Sequence, residues 1–339
     1  MMRVISQYLA IFVITLTLAG CFFNNSDVQR WEMAPEGTTS FALSRDARFA
    51  LFYVKPHPKD KNPQLNKKSG LHFWDLIENK ELTYFGEQDQ LKSVVSHIKI
   101  SDNSRFAITA TQTNFAVWDL GMGVSEGLWS ISDGIIRDVD ISSNGQQVLL
   151  GLSNGKAIYI DLATGRRLEF LAHREKINSV ALSANGKFAL SGGNDHFAYF
   201  WDTTTGQIIY TFEHDKRVSR IALQRDGKFA LTADGGNEGF IWDLKTGQKI
   251  STLSTFSRQQ VFSTARFSDD GNYLVTGSPA GTIKLWNIPS GKKQEQWRAE
   301  PLKDARPPTA VVYDVAIDKK QRVISATSAG IAQAWLIEE

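Results

Sequence analysis

Cysteine is nearly absent from this sequence. Its 339 residues hold one, Cys21, so the body of the chain can form neither a disulfide nor a thiolate metal site. Charge of one sign is lacking too. Lys and Arg number 38 against 36 Asp and Glu, a formal net charge of +2. Overall charge therefore argues for neither nucleic acid nor an acidic surface as partner. The long apolar run is confined to residues 8–20 (YLAIFVITLTLAG). At about 1.5 Å per residue it reaches roughly 20 Å, short of a bilayer core of about 30 Å. The six histidines are scattered, with no His-Glu-x-x-His spacing and no Walker loop or Gly-x-Ser-x-Gly elbow nearby. No catalytic constellation emerges. The expectation is a protein that is not an enzyme and needs no cofactor and no metal.

The lone cysteine has a context. Arg3 gives the chain a positive start, the apolar run follows, and the run ends Leu18-Ala19-Gly20-Cys21. The run is the length of a signal-peptide h-region, with small residues where a peptidase cuts. Leu-Ala-Gly-Cys resembles the lipobox of bacterial lipoproteins. That resemblance implies removal of residues 1–20 and acylation of Cys21, as by palmitate, at a new N-terminus. Phe22, rather than Asp, after the cysteine implies the outer membrane, periplasmic side.

Tryptophan supplies the fold signal. The segments FWDL (73–76), VWDL (117–120), YIDL (159–162), FWDT (200–203), IWDL (241–244), LWNI (285–288) and AWLI (334–337) recur every 41–49 residues. Before each stands an alternating strand that runs into a polar turn and a second apolar run. The turns include Asn144-Gly145, Asn185-Gly186, Asp226-Gly227 and Asp270-Gly271, pairs that tolerate the positive φ of tight hairpins. Each unit thus reads as four short antiparallel strands, a to d. Seven such units resemble the WD-repeat family of β-propellers, over essentially all of residues 28–339. The expected fold is all-β, a single seven-bladed WD40-type propeller, with residues 1–20 as signal peptide and 21–27 as a lipidated tether.

Trp31, Trp129, Phe170 and Trp297 fall at the outer strand d. Trp31 precedes the first complete unit, while the last unit ends after strand c. A strand at about 28–33 should therefore complete the last blade and close the ring, leaving no open edge.

The resemblance also implies a structural His–Ser/Thr–Asp–Trp hydrogen-bond tetrad. The fourth unit carries all of it as His173, Ser191, Asp195 and Trp201. The fifth has Gly236 at the Asp position, and the sixth and seventh have Ala280 and Ala329. Apolar packing, rather than the tetrad, is expected to hold most blades.

Strand parity puts the a–b and c–d turns on one face, the bottom, and the b–c turns and d–a links on the other, the top. The sizeable insertions are both on top. One is a b–c loop at 55–70, with Lys55, His57, Lys59, Lys61, Lys67 and Lys68; the other is a d–a link at 298–310, with Lys303 and Arg306. Shorter links add Arg174 and Arg217. These form a candidate binding rim for protein partners, set against the reading that lysine-rich loops are simply solvated. The function expected is a monomeric, lipid-anchored scaffold at a bacterial envelope, with no nucleic-acid partner. The alternatives are a glycan- or small-ligand-binding propeller, or a scaffold resembling outer-membrane assembly factors.

Overall fold

Turn chemistry sets the repeating unit. In the a–b turns a serine hydroxyl bonds the Asn or Asp two residues on and accepts the amide five residues on. Ser142 accepts from Gln147 at 3.0 Å, Ser183 from Phe188 at 2.9 Å and Ser268 from Tyr273 at 2.9 Å. In the c–d turns the Asp or Asn that ends strand c accepts amides from the turn, as Asp202 does from Thr204 and Thr205, both at 2.8 Å. Both motifs satisfy backbone donors within the turn, which is why short polar sequences suffice to reverse the chain.

The computed structural model describes residues 27–35, 37–55, 69–85, 94–236, 238–254, 261–302, 306 and 308–338. They form seven four-stranded antiparallel sheets. A leading strand, β1, spans Asp27–Glu32. Blade 1 follows as β2 (Ser40–Leu43), β3 (Phe49–Val54), β4 (Gly70–Asp75) and β5 (Lys80–Tyr84). Blade 2 is β6 (His97–Ile100), β7 (Phe106–Ala110), β8 (Asn114–Asp119) and β9 (Val124–Ser130). Blade 3 is β10 (Ile136–Ile141), β11 (Gln147–Leu152), β12 (Ala157–Asp161) and β13 (Arg167–Phe170). Blade 4 is β14 (Ile177–Leu182), β15 (Phe188–Gly193), β16 (Phe197–Asp202) and β17 (Ile208–Glu213). Blade 5 is β18 (Val218–Leu223), β19 (Phe229–Asp234), β20 (Glu238–Asp243) and β21 (Lys249–Ser254). Blade 6 is β22 (Thr264–Phe267), β23 (Tyr273–Gly277), β24 (Thr282–Asn287) and β25 (Lys293–Arg298). Blade 7 is β26 (Val312–Ile317), β27 (Arg322–Thr327) and β28 (Ile331–Leu336), with β1 as its fourth strand.

The innermost strands β2, β6, β10, β14, β18, β22 and β26 touch in succession, and β26 touches β2 again. The fold is a seven-bladed β-propeller. β1 runs antiparallel to β28, with Trp31 opposite Ala332 and Glu32 opposite Ile331. It lies one residue earlier than the sequence indicates and runs from the bottom face to the top. All nine tryptophans lie on strands c or d. Their flat rings fill the gaps between sheets, and Trp118, Trp201, Trp286, Trp297 and Trp335 are almost fully buried. Large aromatic area removed from water is the main stabilising term of such wedges.

Candidate functional site

The top face collects four of the residues singled out for partner binding. Lys55 follows β3, Arg174 and Arg217 lie in the links on either side of blade 4, and Arg306 lies in the link before blade 7; all four are exposed. The structure brings Arg174 and Arg217 to neighbouring links and leaves Lys55 and Arg306 elsewhere on the ring. Cys21, His57, Lys59, Lys61, Lys67, Lys68 and Lys303 lie outside the described residues. The described top face is mixed in charge rather than uniformly basic. Asp133 pairs with Arg167 at 2.5 Å, and Lys156 pairs with Glu169 at 3.0 Å. The bottom face, with its short turns, exposes Lys187, Arg225, Lys228, Lys245, Lys292, Lys319 and Lys320. Loop length drew attention to the top, although the bottom also carries charge.

The tetrad of blade 4 closes over three of its four members. His173 Nδ1 lies 3.0 Å from both Asp195 oxygens, and its Nε2 lies 2.9 Å from Ser191 Oγ. Burial pushes the Asp195 carboxyl up, but the hydrogen bonds from His173 and the Arg174 amide outweigh it and hold its pKa below the usual value. Trp201 does not join: its buried Nε1 has no hydrogen-bond partner among the described residues. Its ring instead lies flat on Phe170, 4.5 Å away and tilted by 2°.

The tryptophan link survives where the tetrad is incomplete. Trp118 donates to Thr109, Trp286 to Thr276 and Trp335 to Ser325, each at 2.9 Å, and Trp242 donates to Thr232 at 2.7 Å. In blade 5 His214 Nε2 lies 2.8 Å from Thr232 Oγ1, but its buried Nδ1 has no hydrogen-bond partner among the described residues; Asp234 caps the turn instead, accepting the Gly236 amide at 2.7 Å. Blades 2, 5, 6 and 7 therefore combine apolar packing with a buried indole–hydroxyl bond, which sequence comparison with the full tetrad underrated.

The channel holds polar groups that were not singled out from the sequence. Register shifts at Ile136/Asp138, Ile177/Ser179, Val218/Arg220 and Val312/Asp314 mark bulges in the innermost strands. Bulges re-aim side chains, and each falls just before a channel residue. Asp138 accepts Ser179 Oγ at 2.9 Å, the Val180 amide at 3.1 Å and Arg220 Nη1 at 3.4 Å. Burial pushes its carboxyl up, but Arg220, with Lys99 and His97, outweighs burial and lowers the pKa. Asp314 accepts the Leu43 amide at 2.9 Å and Arg266 Nη2 at 2.6 Å. Arg266 continues to the Ser44 carbonyl at 3.2 Å. Asp140 accepts the Leu182 amide at 2.7 Å and its neighbour Ile141's amide at 2.9 Å. Carboxylates of one blade thus cap the inner-strand amides of the next. The sequence signal was available in the charges on strand a, at positions that alternate toward the axis.

The fold is that of WD40 repeats. Two segments, 165–202 and 247–287, match the family described as WD domain, G-beta repeat. Each segment runs from strand d of one blade through strands a, b and c of the next. The sequence repeat is therefore offset from the blade by one strand, the same offset that leaves β1 to close blade 7. No curated protein matches the chain. Among the described residues no three His, Cys, Asp or Glu are placed to hold a metal ion.

Proposed function

We propose that this protein is a non-enzymatic interaction scaffold, tethered by an acylated Cys21 to the outer membrane on its periplasmic side, which binds partner proteins through its top-face loops. A rigid ring whose blades are bolted together by buried carboxylates is suited to presenting loops in fixed relation. The observation that carries the reading is the direction of β1. It starts at the bottom face with Asp27 opposite Trp335, six residues after Cys21. Six extended residues span roughly 20 Å, so a lipid at Cys21 would hold the bottom toward the membrane and leave the top free.

The test has two arms. Cys21→Ser should abolish incorporation of labelled palmitate and move the protein to the soluble fraction. Crosslinking in intact envelopes should lose partners when residues 57–67 are replaced by a Gly-Ser turn and Arg174 and Arg217 are both changed to Glu. An unchanged partner set would remove the top face from the reading, and an unlabelled wild-type protein would remove the anchor.

A further inference from the structure

The lower ends of the innermost strands enclose a cavity of about 100 Å³, lined by Lys99, Asp102, Asp140, Arg45, Arg220, Arg225 and Arg266 together with apolar groups such as Ala181 and Ala222. A water needs about 10–15 Å³ of such space, so the cavity has room for several waters or one small polyatomic ion.

The cations around it are of two kinds. Arg45 is committed to Asp102 at 3.2 Å and to Asp269, Arg220 to Asp138, and Arg266 to Asp314. These pairs fix the guanidinium groups in place. Lys99 and Arg225 are uncommitted, with no carboxylate in ion-pair reach among the described residues. Lys99 is half-buried, where an unpaired ammonium loses part of its hydration. Arg220 also keeps one donor in hand: its Nε is buried and has no hydrogen-bond partner among the described residues.

We propose that this lower part of the channel is a binding site for a small oxyanion, phosphate or a short dicarboxylate, held by Lys99, Arg225 and the Nε–H of Arg220. Charge-assisted bonds to an oxyanion would satisfy all three at once, and the site is pre-organised because the neighbouring guanidinium groups are already fixed by aspartates. Asp140 lines the same cavity and acts as a gate on affinity. Burial pushes its pKa up to about 6, against the lowering effects of Lys99 and of the Leu182 and Ile141 amides, and Asp102 adds to the rise. Lys99 faces it from β6, and Asp102, Arg45, Arg220 and Arg266 line the same cavity. Below pH 6 Asp140 becomes neutral, its repulsion of an anion is lost, and binding tightens. This site is independent of the scaffold reading, since it uses no top-face loop.

The experiment is equilibrium dialysis of the full-length protein in detergent, with inorganic phosphate and succinate as separate probes. Saturable binding of either at one site per chain is expected, and the probe that binds names the ligand. Lys99→Met and Arg225→Ala should each weaken binding about tenfold, the effect of losing one charge-assisted bond. Lys245→Ala, on the bottom face outside the cavity, should change nothing. With sulfate, whose charge is constant across the range, affinity should rise from pH 7.5 to 5.5 in the wild type and stay flat in Asp140→Asn. Failure of both probes to bind saturably overturns the proposal. So does binding that is unchanged in Arg225→Ala, which breaks no ion pair of the fold.

Discussion

The indole N–H of Trp31 donates to the Leu76 carbonyl at 2.8 Å, joining the outer strand of blade 7 to the c–d turn of blade 1. β1 therefore both completes one sheet and clasps the next. The Met33 and Ala34 amides add bonds to the Gly330 carbonyl at 3.0 and 3.1 Å, fixing the top end of the same strand. Gly330 has φ +71°, and a Cβ there would meet the Ala34 carbonyl oxygen at 2.0 Å.

The clasp predicts graded losses. Trp31→Ala removes a buried ring and should cost about 3–5 kcal/mol. Trp31→Phe keeps most of the area but leaves the Leu76 carbonyl unpaired, at about 1–3 kcal/mol. Urea unfolding midpoints check both; a Trp31→Phe variant as stable as the wild type would show that the indole bond contributes nothing.

The channel carboxylates predict a contrast between buried and exposed charge. Asp138→Ala strands Arg220 and the Val180 amide in a buried position and should cost about 3–5 kcal/mol. Glu32→Ala breaks an exposed pair with Arg30, 3.4 Å apart, and should cost less than about 0.5 kcal/mol. Parallel denaturant titrations would separate the two; similar values would mean that Asp138 is not a fastener between blades.

Two tryptophans of the same register should behave differently. A double-mutant cycle of Trp286→Phe with Thr276→Val should give a coupling of about 1 kcal/mol, the net worth of a buried hydrogen bond. The same cycle of Trp201→Phe with Ser191→Ala should give nearly none, because those two side chains are not bonded. A sizeable coupling at Trp201 would contradict the geometry of blade 4.

His214 predicts a pH dependence. Burial pushes its pKa down from 6.5 to about 4. The unfolded chain takes up the proton near pH 6.5 and the folded protein only near 4. Stability therefore falls as pH drops through that window, by about 3 kcal/mol in all. His214→Gln should flatten this part of the profile, measured by thermal melts at pH 7, 6, 5 and 4.

Much of the fold was legible because its determinants are local. Asn-Gly and Asp-Gly turns, serine-capped hairpins and a Trp at one register each act within a few residues, and their recurrence from unit to unit made them unmistakable. Even ring closure could be read, since a leading strand d and a missing last one are a matter of counting. The tetrad was legible as residue types but not as bonds. Ser191 and Thr232 occupy equivalent positions, yet only Thr232 accepts an indole hydrogen, and ring orientation decides that.

By itself the sequence determined the number of blades, the strand order and the turns, because hydrogen bonding between strands adjacent in the chain dictates each blade, and the strand that closes the ring, because one strand is left over at the start and one is missing at the end. Only the tertiary structure decided what the axis contains. Lys99, Asp140, Arg220 and Arg266 come from four different blades and meet because the ring closes. Their charges, partners and the space between them depend on bulge geometry and on distances across the channel that no single repeat encodes.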